Sequence, residues 1–214
     1  MSIEIAEGTN EAARSDTWTY LNHLLPHESM WPLQSREEER RVVPHPSVVF
    51  EARVNGERVG AAYAGPSWDE AGDVLKNEID RLAHLILYNV RTLHGVGVEQ
   101  AHRGQRIGSG LVAATERVAA ESGASLIIGV AQGAHELERF YTRLGYVVGE
   151  PARPLILRAG HESGVFPQGD PESRWFYKYM GSAGATGPVR ALHPTDRQLR
   201  LLRAGADDVR GNAL

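Results

Sequence analysis

The chain has 214 residues, 42% of them hydrophobic and 23% charged, and a formal net charge of −4 at pH 7; that supports one good hydrophobic core and leaves two full domains cramped. Its charge offers no basic field for nucleic acid. It holds no cysteine, which excludes disulfides, thiolate metal sites and a cysteine nucleophile, and suits a reducing cytoplasm.

Residues 1–9 are acidic and lack the basic and apolar blocks of a secretory signal. No run approaches the ~18–20 apolar residues that cross a bilayer, so a cytoplasmic protein with no membrane partner is the expectation. Ser2 to Glu7 alternates in the manner of a short strand. Asn10 is placed to cap a helix that Pro26 stops near Leu25. Ser35 and Glu38 form a capping box at the start of a short charged helix that ends before Pro44. Strands at 47–54 and 57–64 flank Asn55-Gly56, a strong hairpin signal because both residues tolerate positive φ. Trp68 to Ile86 reads as one helix, with Leu75, Ile79, Leu82 and Ile86 near helical spacing, and a strand follows from about Tyr88 to Val98.

Ile107, Leu111, Ala114 and Val118 repeat at the spacing of an amphipathic helix, and Gly123 supplies its left-handed end. Leu126 to Ala131 is an almost unbroken apolar run, suited to a strand covered on both faces. Leu137, Tyr141 and Leu144 mark another helix, closed by Gly145. Strands near 146–158 and 174–180, with a hairpin loop at 161–170, complete a mixed α/β (α+β) pattern. From Gly181 the composition turns to Gly, Ala, Pro and Arg. Residues 182–214 are therefore set apart from a main domain at 1–181, as a solvated tail. A helix at Asp196 to Arg203 with Leu199, Leu201 and Leu202 offers the alternative of a docking face, as in a homodimer.

The chemistry concentrates where the strand ending in Val96-Gly97-Val98 runs through Arg103-Gly104-Gln105-Arg106 into Ile107-Gly108-Ser109-Gly110. A helix start has unpaired N–H groups and the positive end of the macrodipole. Glycines let a phosphate approach those amides, and Arg103 and Arg106 add matching charge. Two other motifs fail on mechanism. Gly108-Ser109-Gly110-Leu111-Val112-Ala113 has dinucleotide-fingerprint spacing, but its glycines do not directly follow a strand. His135-Glu136-x-x-Arg139 has arginine where a zinc protease needs its second histidine, so no metal is expected.

This segment resembles the GNAT superfamily of acetyl-CoA-dependent N-acetyltransferases, whose signature is Arg/Gln-x-x-Gly-x-Gly/Ala after a strand ending Val-x-Val. The register from Arg103 keeps Gly108 but puts Arg106 at the first glycine, which is tolerable if Arg106 is helical. A shifted match through Gln105, Gly108 and Gly110 also exists. Phe140-Tyr141-Thr142-Arg143-Leu144-Gly145-Tyr146 is similar to the family's second motif, although Ala134 stands where many members have asparagine.

The resemblance implies a mostly antiparallel sheet with flanking helices and acetyl-CoA as cosubstrate, with a direct transfer to an amine-bearing acceptor. It implies that Val96 and Val98 pair with the pantetheine arm and that Arg103, Gly104, Gln105, Arg106, Gly108, Ser109 and Gly110 surround the diphosphate. Tyr141 would protonate the departing thiolate, the alternative being a core tyrosine. His94, taken to share a strand face with Val96 and Val98, is the candidate base, the alternative being a structural histidine. The acceptor is expected near Trp68–Ile86 and 161–170. The rival function is a CoA-binding module without catalysis.

Overall fold

Asn55 and Gly56 both take positive φ, 51° and 88°, which gives the turn the twist a two-strand ribbon needs. The turn joins β2 (Val48–Val54) to β3 (Glu57–Pro66). The computed structural model describes residues 2–25, 33–132, 135–168, 170–180 and 187–195. β1 (Ile3–Glu7) pairs outside β2, and β4 (Val90–Val98) pairs with β3. β5 (Leu126–Ala131) runs parallel to β4. β9 (Arg174–Tyr179) and β6 (Val147–Val148) follow across the sheet in antiparallel pairs. The order is β1-β2-β3-β4-β5-β9-β6, so the sheet is mixed and mostly antiparallel, as the alternation implies.

Neighbouring residues on a strand face opposite sides, and the packing clusters sort accordingly. Phe50 and Ala62 pack on Ile107 and Leu111 of α5 (Ile107–Glu121), whereas Val49 and Ala61 pack on Leu21 of α1 (Glu11–Leu24). Asn10 caps α1 by accepting the Ala13 N–H at 2.9 Å. Ser35 likewise caps α2 (Arg36–Arg40), accepting the Glu38 N–H. Arg14 fastens α1 from within: fully buried, it donates to the carbonyls of Ser47 (3.0 Å) and Gln34 (3.2 Å). Glu39 of α2, also buried, takes the Ser47 N–H and Oγ–H at 2.7 and 2.6 Å. Each buried charge thus keeps several polar partners, the condition for tolerating it.

Three expectations need correction. The single helix at Trp68–Ile86 is two, α3 (Trp68–Leu75) and α4 (Asp80–Asn89), separated at Glu78, which has φ 59°. Leu75, counted in the apolar stripe, is exposed, while Ala71, Val74, Leu82 and Ile86 are buried. The strand expected near 146–158 is interrupted by Pro151, Ala152 (φ 56°) and Pro154, giving β6 and then β7 (Leu155–Ala159). The loop expected at 161–170 contains β8 (Glu162–Phe166), a hairpin partner of β7.

β10 (Arg190–Leu192) lies on the other edge of β7, completing a second sheet ordered β10-β7-β8. Val189 and Ala191 bury with Leu155 and Leu157. The described part of the stretch set apart as a tail, 187–195, therefore packs into the fold. The helix expected at Asp196–Arg203 lies outside the described residues, as does Ala134. Among the described residues no helix is long and apolar enough to cross a membrane.

Gly129 sits where β5 meets β4. A Cβ there would lie 2.4 Å from Phe176 Cζ and 2.9 Å from the Leu93 carbonyl oxygen. A carbonyl in a paired strand cannot swing away, so Gly129→Ala should destabilise the protein by about 1–3 kcal/mol, the usual cost of overpacking. Denaturant unfolding of the two proteins checks this; equal midpoints would count against so close a packing.

Candidate functional site

β4 is one residue too long for β3. Tyr63 pairs with Gly95 but Ala64 pairs with Leu93, leaving His94 as the extra residue of a bulge. Pairing of β4 with β5 runs from Val90–Leu126 to Leu93–Gly129 and stops there, although the strands continue to Val98 and Ala131. The sheet therefore parts beside the bulge, and a cleft of about 1040 Å³ opens in the gap. Its walls are His94 to Val98, Val130 to Gln132, the turn from His102 to Ser109, and α6 (His135–Arg143), with Leu24 and Leu25 at the end of α1.

One end of the cleft is built for anions. After a 3₁₀ turn at Gln100–His102, Gly104 takes φ 79° and Arg106 takes φ 65°. The bond from Gly110 N–H to the Arg106 carbonyl is the first of α5. The amides of Ile107, Gly108 and Ser109 thus precede any intrahelical acceptor. A Cβ at Gly104 would meet nothing within 4 Å, so the turn is open where a phosphate would approach. Arg103 lines this end with Nε donating to the Val98 carbonyl at 3.1 Å, and Arg106 of the same turn lines it as well; Arg143 lines the cleft from α6. Bare amides, a helix dipole and the two guanidinium groups of the turn make a strong anion field.

Arg106 itself is a correction. It is not helical but stands at the N-cap of α5 in the left-handed region, where a residue with a Cβ costs about 1–2 kcal/mol. That conformation explains why the motif has glycine at this position, and it supports the register that begins at Arg103. Val96, Val98, Gly104, Gly108 and Ser109 all line the cleft, whereas Gln105 and Gly110 do not. A Cβ on Gly110 would run into Ile5 Cδ1 at 2.6 Å, so that glycine serves the packing of β1.

His94 is also displaced from its expected place. The bulge turns its ring to the α1 side, stacked on Tyr63 with centroids 4.8 Å apart, while Val96 and Val98 pack toward α5. Burial pushes its pKa down to about 4, against the opposing effect of a bond to the Pro66 carbonyl. The imidazole is neutral at pH 7 and is a weak base there, far from the pKa a proton acceptor needs. Tyr141 lines the cleft from α6 with its ring buried, stacked on Phe176 at 3.9 Å and edge-on to Tyr146 at 5.5 Å. Gly145, with φ 84°, closes that helix.

Sequence reasoning did not assign Leu24, Leu25, His102, Glu136, Phe140 or Arg143 to the cleft. Phe140 and Arg143 were legible as parts of the second motif; Leu24 and Leu25 reach the site only through tertiary packing. No described residue of 68–86 or 161–170, where the acceptor was expected, lines the cleft. Among the described residues no cluster of three His, Asp or Glu side chains could hold a metal ion.

Residues 10–146 match the acetyltransferase (GNAT) family. No curated protein matches the chain in sequence. Among solved structures, a GNAT-family acetyltransferase from Streptococcus pneumoniae superposes with a TM-score of 0.53 at 12% identity, over 84% of this chain and 100% of that one. A protein from Salmonella typhimurium, named as an acetyltransferase and solved with its cofactor acetyl-CoA, superposes with a TM-score of 0.53 at 16% identity, over 84% of this chain and 95% of that one. At such identities the likeness is one of fold.

Two predictions follow from the site's backbone and burial. Arg106→Gly should raise the stability of the ligand-free protein by about 0.5–1 kcal/mol, the strain relieved less the extra chain entropy of glycine; a lower unfolding midpoint would refute the left-handed assignment. For His94, the folded pKa lies below the unfolded 6.5, so the unfolded chain binds more protons between pH 6.5 and 4 and stability falls as pH drops through that window. The ceiling of this loss is about 3.5 kcal/mol, at about 1.4 kcal/mol per pKa unit. The loss should shrink in His94→Gln, as read from denaturation at pH 7 and pH 4.5.

Proposed function

Because the chain belongs to the GNAT acetyltransferase family, we propose that it moves an acetyl group from acetyl-CoA to an amine by direct attack within a ternary complex. The observation that carries this reading is the parting of β4 from β5 beside a turn of unpaired amides. The residues present fit the cosubstrate. The amides of Ile107, Gly108 and Ser109, with Gly104 and the guanidinium groups of Arg103 and Arg106, would hold its diphosphate. The main chain of Val96 and Val98, left without a β5 partner, would pair with the pantetheine arm as an added strand. One N–H of that strand would face the thioester oxygen and stabilise charge developing on it.

The acetyl group arrives as a thioester activated for attack. The amine nitrogen forms a bond to the carbonyl carbon, the C–S bond breaks, and the nitrogen loses the proton it no longer holds as an amide. Tyr141 donates a proton to the leaving sulfur and regains one from water before the next turnover. His94 is too weak a base to take the amine's proton, so that proton leaves through water at the cleft mouth. The absence of cysteine favours direct transfer over an acetylated enzyme. Holding both reactants in place supplies an effective molarity of roughly 10⁵ M or more, and the tyrosine adds about 10²-fold.

The test is in two steps. CoA at saturating concentration should raise the unfolding temperature, and thiol release from acetyl-CoA should then be screened against a polyamine, free amino acids, an aminoglycoside and a peptide with a free N-terminus. Tyr141→Phe should lower kcat about 10²-fold while the CoA-induced shift persists. No shift with CoA overturns the reading. A shift without turnover on any amine favours the rival, a CoA-binding module that lacks catalysis.

A further inference from the structure

Of the 23 basic residues only two are lysines, Lys76 and Lys178. Lys76 is a surface residue paired with Asp73, but Lys178 is not on the open surface. It projects from β9 onto the side of the sheet that carries α5 and α6, two residues after Phe176. Its Nζ donates to Glu116 Oε1 and Oε2 at 2.9 and 2.8 Å and to the Leu144 carbonyl at 2.8 Å. The same nitrogen lies 5.3 Å from the centre of the Tyr146 ring. Three elements thus meet at one charge: the strand, the middle of α5, and the last carbonyls of α6.

The Tyr141 and Thr142 carbonyls already accept the N–H groups of Leu144, Tyr146 and Gly145; Lys178 takes the Leu144 carbonyl just past them, and a cation at a helix C-terminus is favourable. Lysine suits the place better than arginine, because a compact ammonium aims three donors in three directions whereas a guanidinium fork is planar. The slim stem also passes Gly145, where a Cβ would stand 3.7 Å from Lys178 Cε. Leu144 is one turn beyond Tyr141, and α5 opens at the amide turn that binds the anion. Stacking on Phe176 holds the Tyr141 ring against the sheet but resists sliding across it less well. The carbonyl anchor at Leu144 opposes that sliding.

We propose that Lys178 is a positioning residue, which fixes Tyr141 relative to the anion-binding start of α5 through Leu144 and Glu116. The inference rests on the acetyl-transfer reading and on Tyr141 as the proton donor. It implies that Lys178 governs turnover and leaves cosubstrate binding nearly untouched. Displacements of a fraction of an ångström suffice for this, since a 1 Å error in a reacting group can cost on the order of 10²-fold in rate.

The experiment is a mutant cycle read by thiol release from acetyl-CoA, with the most active amine of the panel above or with water alone where no amine accelerates it. Lys178→Met should lower kcat about 10-fold, with KM for acetyl-CoA and the CoA-induced thermal shift held within about 2-fold. Lys178→Arg should recover only part of the rate. In a Tyr141→Phe background, Lys178→Met should cost less than about 2-fold, because the group it positions is gone. A full 10-fold loss in that background, or an unchanged kcat in Lys178→Met, overturns the proposal. If Lys178→Met does not fold, Glu116→Gln keeps the Leu144 bond and should show the same pattern at about 3-fold; an additive cycle there overturns it equally. If Tyr141→Phe alone leaves kcat intact, it is the proton-donor reading that fails, and this is seen before any lysine variant is made.

Discussion

The extra residue of β4 is the constraint from which the site follows. A bulge at His94 bends the strand away from β5 just past Leu93 and Gly129, so residues 95–98, still paired with β3 on one edge, face a gap inside the sheet on the other. Unpaired strand edges are usually liabilities at a sheet's rim, where proteins cover or blunt them. Here the edge is internal, walled by α6 on one face and by the end of α1 on the other, so only something slender and extended can complete it. Gly97 allows that enclosure: a Cβ there would lie 2.9 Å from Leu24 Cβ, and α1 could not come so close.

The two flanking helices divide the work. α5 begins at the parted strand and offers amides and positive charge at one end of the cleft, while α6 brings Tyr141 across the middle. What aligns them is the β9 face below, where Phe176 stacks on Tyr141 and fills the space that Gly129 leaves by having no side chain. A residue chosen for its absence of Cβ thus sets the depth of a tyrosine on the next helix. The left-handed Arg106 shows the same trade in local form. The backbone there would be more comfortable as glycine, and the guanidinium it retains is the gain that offsets the strain.

Much of this was legible in the chain. Asn55-Gly56, the caps at Asn10 and Ser35, the apolar run of β5 and the stripe of α5 are local signals, and each is realised where it was read. The turn after Val98 was legible because glycines and arginines at a helix start have few other uses. Non-local features were not. Nothing near His94 announces that β3 is one residue shorter there, and that single count reverses which face the imidazole presents. The break at Glu78 answers a second sheet whose strands come some eighty residues later, and β10 is a three-residue strand whose only warrant is the free edge of β7. Arg14 reads as a surface arginine on a polar helix; its burial depends on Ser47 and Gln34, neither of which periodicity can bring to it.

The charge around the parting point bears on mechanism. Glu70, buried beneath α3 and hydrogen-bonded to Thr92, has its pKa pushed up to about 7 by burial, and His94, two residues along β4, is pushed down to about 4. Each group is therefore held toward its neutral form. Their pH effects on stability oppose one another. A raised carboxyl favours the folded state at low pH and loses that advantage as pH rises from 4.5 to 7, whereas the depressed histidine loses stability as pH falls from 6.5 to 4. Where the windows overlap, the two contributions to stability have opposite slopes. Of the two groups only His94 lines the cleft, where its depressed pKa makes it a weak base, while Arg103 and Arg106 gather positive charge at the amide turn. On the acetyl-transfer reading proposed above, such a site would accelerate attack mainly by placing a neutral amine against a held thioester and shielding the pair from bulk solvent, with the Tyr141 proton timed to the leaving group.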